Sequence, residues 1–473
     1  MQEKSLTNKI RENIIEIALS STSHGIPSAL RTKHKFIKYM WIVFFLISTG
    51  ACAYSIIKSF QQYFQFDVVT KVRIINEIPS TFPKITICNR NPLSTNYTLY
   101  NDIMNMKNIN VKQLDYNVLL KYNSPYVTNE DRKKIGYSLE DMLISCKFAD
   151  VVCNANDFEW KFDKFYGNCY DFNTGRNSFN QTIPIKKNYN SGFRAGFQLE
   201  LFVGMPEYLE QYSPFKGAII YISNTTSSPR FLNEILVSPG VETNIAISKT
   251  FVTQKDYPYS DCISDFSNVD SILYKSLITA NLRYTQQDCY PQCFQSNVEK
   301  NCSCYNTLFP PVNSKNPCIT SADSACLFKV RMDFFAGRFN DECSSLCPLE
   351  CDRVLYSYTI SSSTSMSEKY AELYYMNDQI IKSKYPGRNV TFEDIKKGLV
   401  NVKIFYEGLY YTEISETESQ TVFDLISSIG GTMGLFIGIS LLSFIEILEI
   451  IIEILILLFT KKTISVIGFD VKN

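Results

Sequence analysis

Histidine is almost missing from this 473-residue chain: His24 and His34 are the only two, and both precede the first long apolar run. The polar middle of the sequence therefore has no imidazole for general-base catalysis or for holding a metal. Net charge is missing as well. The 47 basic residues balance 47 acidic ones, which leaves no electrostatic ground for nucleic-acid binding. Zinc-finger spacing and a glycine-rich nucleotide loop are both absent. Spaced carboxylates alone are too common to argue hydrolysis. Neither an enzyme nor a cofactor is expected.

What the chain does have is apolar residues gathered near its two ends. The first run, Tyr39 to Ile57, lies between Lys38 and Lys58. Nineteen helical residues span about 28 Å, close to the hydrocarbon thickness of a bilayer. Ala51-Cys52-Ala53 looks a little like a signal cleavage site, but the 38-residue leader with Glu3, Glu12 and Glu16 is poor for a signal peptide. The second run, Val422 to Phe459, would be about 57 Å long as one straight helix, too long for a simple crossing. It either projects from the membrane or is interrupted.

Two spans put both ends on one side. Seven basic residues in the leader, and Lys461 and Lys462 after the second run, make that side cytoplasmic. The cysteines agree. Fourteen of 15 lie between the spans, Cys52 alone lies within the first, and neither tail has any. That is the pattern of an oxidising exterior and a reducing cytosol. The glycosylation acceptors Asn96, Asn180, Asn224, Asn301 and Asn389 also fall between the spans. The expected layout is a cytoplasmic tail (1–38), a membrane helix (39–57), an extracellular disulfide-rich domain (58–421), a second membrane helix (422–459) and a short cytoplasmic tail (460–473). The protein is expected in the plasma membrane.

Between the spans, Lys84–Cys88, Phe197–Val203 and Ala218–Ile222 read as strands. Helical patterns appear around Ser138–Lys147 and Asn268–Asn281, so the expected class is α+β. Ten cysteines crowd the stretch from Cys262 to Cys351. Zinc is the alternative for Cys302-Ser303-Cys304, but an oxidising, histidine-free domain favours disulfides.

Asp424, Glu446, Glu449 and Glu453 lie in or beside the second run, and on an unbroken helix they share one side with Ser428 and Leu435. A charge in hydrocarbon is costly unless it faces water or a partner, and neither span has a basic residue to offer. A water-filled path lined by acids accounts for them and favours cations. One helix cannot enclose a pore, so several subunits must contribute. Gly430, Gly431, Gly434 and Gly438 precede Ser440. Gly434-x-x-x-Gly438 fits a close helix contact or, equally, a helix break exposing carbonyls to ions.

The stretch GGTMGLFIGISLLSFIE, Gly430–Glu446, resembles the pore region of the epithelial sodium channel, degenerin and acid-sensing channel superfamily. Ser23-His24-Gly25, Phe82-Pro83-Lys84-Ile85-Thr86-Ile87-Cys88-Asn89, Ile144-Ser145-Cys146-Lys147-Phe148 and Gly167-Asn168-Cys169-Tyr170 are similar to family motifs too, so the resemblance covers nearly the whole chain. It implies a homo- or heterotrimer with a hand-like ectodomain of palm, thumb, finger, knuckle and β-ball. It implies Gly438-Ile439-Ser440 as the selectivity filter, Glu446 and Glu449 as acids below it, and His24-Gly25 as a gating segment. Tyr63 and Tyr259 resemble the wrist and thumb-base aromatics. The implied disulfides are Cys88–Cys169, Cys146–Cys153, Cys262–Cys351, Cys289–Cys347, Cys293–Cys343, Cys302–Cys326 and Cys304–Cys318. Sodium ions, an amiloride-type blocker and a lipid membrane are the implied partners. Ser428 departs from the aspartate of acid-sensing relatives, which removes the ground for carrying over their calcium block and amiloride sensitivity.

The stimulus is the least determined feature. An extracellular neuropeptide is the first expectation, by analogy with invertebrate, including cnidarian, members. Proton gating, constitutive or mechanical opening, and an accessory role beside related subunits are the alternatives. Without extracellular histidine, proton sensing near neutrality needs carboxylates with raised pKa values. A two-span adhesion subunit would not need three pore-side glutamates. An ATP-gated trimer would need an extracellular basic cluster for phosphate.

Overall fold

The computed structural model describes residues 19, 25–92, 123, 125–204, 215–224, 234–266, 284–313, 316–364, 366–385, 387–440, 442, 443, 445, 448, 451 and 452. The chain divides into two compact units, one made of Met1–Val69 with Thr417–Asn473, the other of Thr70–Glu416.

The first unit opens with α1 (Ile26–Arg31), where Pro27 suits a first helical turn. Gly25 before it is buried, and a Cβ there would come 2.6 Å from Phe45 Cδ2. α2 (Lys35–Tyr63) follows and extends past both ends of the expected 39–57 span. Among the described residues it is the one helix long and apolar enough to cross a membrane. Phe44, Leu46 and Ile47 lie more than half exposed on its surface, an arrangement that suits lipid rather than water. Cys52 is buried and free of any disulfide.

The second unit is α+β. Its elements run β1 (Val68–Asn76), β2 (Ser80–Thr81), β3 (Lys84–Asn89), α3 (Asn129–Ile135), β4 (Leu143–Phe148), β5 (Val151–Val152), β6 (Phe158–Asp163) and β7 (Gly167–Phe172). There follow β8 (Lys187–Asn188), β9 (Phe197–Phe202), β10 (Ala218–Ser223), β11 (Ile235–Val237) and β12 (Val241–Thr253). Helices α4 (Gln286–Cys302), α5 (Ser321–Phe335) and α6 (Asn340–Leu346) precede β13 (Asp352–Thr364). Three short helices, α7 (Glu368–Tyr374), α8 (Gln379–Ser383) and α9 (Phe392–Gly398), lead into the long β14 (Leu399–Glu418).

Seven strands form one sheet in the order β13-β12-β14-β9-β4-β5, with β1 also paired to β14; a second sheet runs β11-β10-β3-β7-β6. β12 and β14 are parallel, whereas β12 with β13 and β14 with β9 are antiparallel. Alternation explains the core. Ile85 and Ile87 of β3, Leu199 and Leu201 of β9, and Val402 and Ile404 of β14 recur every second residue and bury themselves in one shared cluster. The opposite face of β3 carries Cys88, bonded to Cys169 directly across the β3–β7 register and packed with Ile219 and Tyr221. Near the β9 end the packing is tight enough to require glycine. A Cβ on Gly398 would lie 2.5 Å from the Phe202 ring and 2.9 Å from Gly204 Cα.

The helical pattern at Ser138–Lys147 is corrected by the structure. Hydrogen bonds from Met142 N and Leu143 N to Leu139 O make a single turn, after which the chain extends as β4. Cys146 and Phe148 then alternate inward, and pairing with β9 outweighs the local preference. The pattern at Asn268–Asn281 lies outside the described residues.

The cysteine-crowded stretch is a helical region with two small cores of its own. Thr285 caps α4 and a capping box of Thr320 and Asp323 starts α5. Cys289–Cys347 and Cys293–Cys343 tie α4 to α6, Cys302–Cys326 ties α4 to α5, Cys304–Cys318 closes the loop between them, and Cys262–Cys351 closes the base. Cys146–Cys153 spans the β4–β5 hairpin. Buried Glu299 is satisfied by Val312 N and Asn313 N, each 2.8 Å away.

Candidate functional site

The site begins with a capped helix, α10 (Val422–Phe436). Thr421 is the N-cap. Its Oγ1 accepts from Asp424 N at 3.1 Å, while the Asp424 carboxylate accepts from Thr421 N at 2.9 Å and Thr421 Oγ1 at 2.7 Å. Asp424, a pore-lining candidate, thus uses its carboxylate on the helix start. The exchange satisfies backbone donors that an uncapped helix leaves open.

Ser428, one turn on, meets Ser59 of α2, with the two hydroxyls 3.2 Å apart. The polar face that holds Asp424 and Ser428 is therefore shared with α2 at that level. Leu435 is 77% exposed. Cβ atoms added at Gly430 and Gly431 would meet nothing within 4 Å, and at Gly434 only Ile439 O at 4.0 Å. Among the described residues, no other element packs closely on Gly430, Gly431 or Gly434.

The helix stops at Phe436. Ile437 N and Gly438 N each donate to Met433 O at 3.0 Å, and Gly438 N also reaches Gly434 O at 3.1 Å. Gly438 has φ +79°, a left-handed conformation that side chains with a Cβ resist. Residues 438–440 are non-helical, and helix resumes at Leu442. Ser440 N then donates to Ser443 Oγ at 3.1 Å, and Ser443 N to Ser440 O at 3.0 Å, which caps the new start. Gly438, Ile439 and Ser440 are thus the break between two helical pieces, and helix ends leave backbone groups free for other partners. Ser443, 6% exposed, was not singled out from sequence, although its spacing from Ser440 is a capping pattern.

At 15 residues α10 is about 22 Å long, short of a full crossing, so one complete membrane span is shown. Glu446, Glu449, Glu453, His24 and Asn96 lie outside the described residues. Tyr63 ends α2 and meets Phe64 edge-on at 5.3 Å. Tyr259, in the other unit, donates its N–H to Asp256 O at 3.0 Å and lies under Lys255 Nζ at 6.0 Å. Asn180, Asn301 and Asn389 are exposed and Asn224 partly so.

The second unit holds charged groups that the sequence did not single out. Lys249, 4% exposed, pairs with the Glu77 carboxylate and lies 5.3 Å from the centre of the Phe251 ring. At the β6–β7 turn, Asp163 Oδ1 accepts from Phe165 N at 2.8 Å and Tyr166 N at 3.0 Å. Glu234 nearby accepts from Tyr166 and Tyr221 hydroxyls at 2.9 and 3.2 Å. Burial pushes Asp163 above the ordinary carboxylate range, outweighing its two amide donors and Lys161, and the Glu234 charge adds to the rise. Among the described residues no cluster of His, Cys, Asp and Glu suits a metal.

An apolar membrane helix, a second apolar helix broken at glycine, and an α+β disulfide-rich region together define a membrane protein of the ion-channel class. The amiloride-sensitive sodium channel family model matches residues 17–450, and the chain belongs to that family. It is a channel-forming subunit, not an enzyme. The mouse bile acid-sensitive ion channel is 27% identical over 463 residues, covering 92% of this chain and 86% of the relative. Zebrafish acid-sensing ion channel 1A is 26% identical over 468 residues, with 93% and 87% covered. The beta-2 subunit of the Xenopus laevis epithelial sodium channel is 29% identical over 330 residues, with 68% and 49% covered. A proton-activated chloride channel solved by cryo-electron microscopy is similar at a TM-score of 0.31 and 8% identity, covering 84% of this chain and 91% of that one, too slight a likeness to bear on the fold.

Proposed function

We propose that the chain is the pore-forming subunit of a trimeric, proton-gated sodium channel of the plasma membrane, with two spans and both termini cytoplasmic. Segment 422–459 is read as the second span, Gly438-Ile439-Ser440 as the selectivity filter, and Glu446, Glu449 and Glu453 as acids lining the pore below it. The supporting observation is the break at Gly438, because an interrupted helix in a membrane is tolerated where its free backbone lines a cavity. The region between the spans is read as a hand-like extracellular sensor carrying N-linked sugars.

The proton reading replaces the neuropeptide expected from sequence. Acid and bile acid appear in the names of the relatives above, and a peptide does not. Proton sensing without histidine needs a carboxylate of raised pKa, and Asp163 beside Glu234 is one such group.

Oocytes expressing the chain alone, and with related subunits, test this. An acid step is expected to evoke an inward current that disappears when sodium is replaced. Asp163→Asn, which mimics the protonated acid, is expected to move half-activation toward neutral pH. Current evoked by an RFamide-type peptide and not by acid would overturn the proton reading alone. No current in any combination would leave only an accessory role, and unchanged selectivity and conductance in Glu446→Gln would remove that residue from the pore.

A further inference from the structure

The β6–β7 turn joins two parts of the second unit. Asp163 and Gly167 are the last paired residues of the hairpin, so Lys164, Phe165 and Tyr166 form its loop. Phe165 leaves the sheet. It packs against the apolar cluster that Phe294 and Val298 of α4 form with Leu308 and with Leu327 and Val330 of α5. Lys164 Nζ reaches the same region and donates to Thr307 O, in the α4–α5 connection, at 2.8 Å. Tyr166 turns the other way. Its hydroxyl donates to Glu234 at 2.9 Å, and it packs against the Cys88–Cys169, Ile219 and Tyr221 cluster of the second sheet.

Asp163 fixes the directions these side chains take. One of its carboxylate oxygens accepts from both Phe165 N and Tyr166 N, at 2.8 and 3.0 Å, so the turn is built on the acid that opens it. A charged acceptor holds such donors about twice as strongly as a neutral one. Facing Asp163 are Lys161, two residues back on β6, Glu234 ahead of β11, and Lys164, Tyr166 and Tyr221, which all feel its charge. Burial and Glu234 favour the neutral acid and Lys161 the charged one, and burial is the largest of these effects. Asp163 therefore takes up its proton at a higher pH than an exposed carboxyl would.

We propose that Phe165 is a positioning residue that carries the charge state of Asp163 out of the second sheet and into the cysteine-rich helical region. Its use in opening the channel rests on the proton reading given above, whereas the coupling itself is a property of the fold. A proton on Asp163 leaves Phe165 N and Tyr166 N on a neutral acceptor. The loop then loosens, and Phe165 loses its fixed place in the helical cluster. That region is joined to the first sheet on both sides. β12 ends at Thr253 before it, β13 begins at Asp352 after it, and Cys262–Cys351 closes its base. β12 in turn pairs with β14, the strand from which the chain continues into α10.

Hydrogen–deuterium exchange on the full-length protein in detergent, at one neutral pH for every variant, tests this. Asp163→Asn, the neutral isostere, is expected to speed exchange about threefold or more in peptides covering the α4–α5 connection and α5. Phe165→Ala should raise that exchange by itself, and adding Asp163→Asn to it should raise it no further. Phe165→Leu keeps an apolar side chain in the cluster and should restore part of the response to Asp163→Asn; it also serves if the alanine variant fails to fold. A phenylalanine that only packs would give two effects that add. Additive effects would overturn the proposal, as would unchanged exchange of the helical region in an Asp163→Asn protein of normal melting temperature. In current recordings, the shift of half-activation caused by Asp163→Asn should be lost in the Phe165→Ala background, and a shift kept in full would also count against it. Coupling seen by exchange in a channel that acid does not open would set aside the proton reading and leave this one standing.

Discussion

Lys164 shows how a single residue can tie stability to pH. Its ammonium is largely buried, donates to Thr307 O at 2.8 Å, and stands near Arg132. Burial, reinforced by the Arg132 charge, lowers its pKa from 10.5 to about 8. Between those two values the unfolded chain binds more protons than the folded one, so folding becomes more favourable as pH rises. The penalty is complete below about pH 8 and gone above 10.5. Melting temperature followed across about 2 pH units above pH 8, inside that window, should rise more for the wild-type protein than for Lys164→Met. Equal rises would mean that Lys164 is not charged against its surroundings. Asp394 is the opposite case. The Arg388 guanidinium, bidentate to it at 2.7 and 2.9 Å, holds its carboxyl well below the usual range.

At the scale of the element, the break after α10 is the most consequential feature. Gly438 at φ +79° makes alanine there unfavourable by about 1–2 kcal/mol, enough to shift the local balance toward a continuous helix or a rearranged turn. Gly438→Ala should reach the cell surface at normal levels while its current falls about tenfold or more. Surface labelling paired with voltage clamp separates the two effects, and a normal current would deny the break any part in conduction. The strands at Lys84–Cys88, Phe197–Val203 and Ala218–Ile222 were legible as short apolar or alternating runs; β9 alternates toward one buried face, whereas β3 and β10 are buried on both. The segment at Ser138–Lys147 was not. Short apolar runs are ambiguous, and most of its strand is held by long-range pairing with β9, with only its last residues paired locally to β5. The Gly438 break could be anticipated from local composition. The polar row of Glu200, Asn401 and Glu242 on β9, β14 and β12 could not, because it comes together only through the registers of three strands distant in sequence.

Across the whole molecule, the bridges between α4 and α6 act together. Cys293–Cys343 lies inside the loop closed by Cys289–Cys347, with sequence separations of 50 and 58. While either bond remains, the other constrains only the few residues between the two pairs. By loop-closure entropy, removing one pair should cost about 3 kcal/mol and removing both about 7, more than twice the single loss. Denaturant melts of the extracellular signal in Cys289→Ser/Cys347→Ser, Cys293→Ser/Cys343→Ser and the fourfold variant would check this. Strict additivity would show that the two bonds brace independent regions.

The same nesting also bears on the order of events during secretion. Closing the inner pair brings the outer sulfurs into one short neighbourhood, which raises their effective concentration for each other above that of distant thiols. A chain oxidising in this way closes like a zipper from the middle of the stretch outward. An early correct bond then makes the next correct bond the fastest one available, and a wrong early partner leaves the second pair far apart and open to exchange.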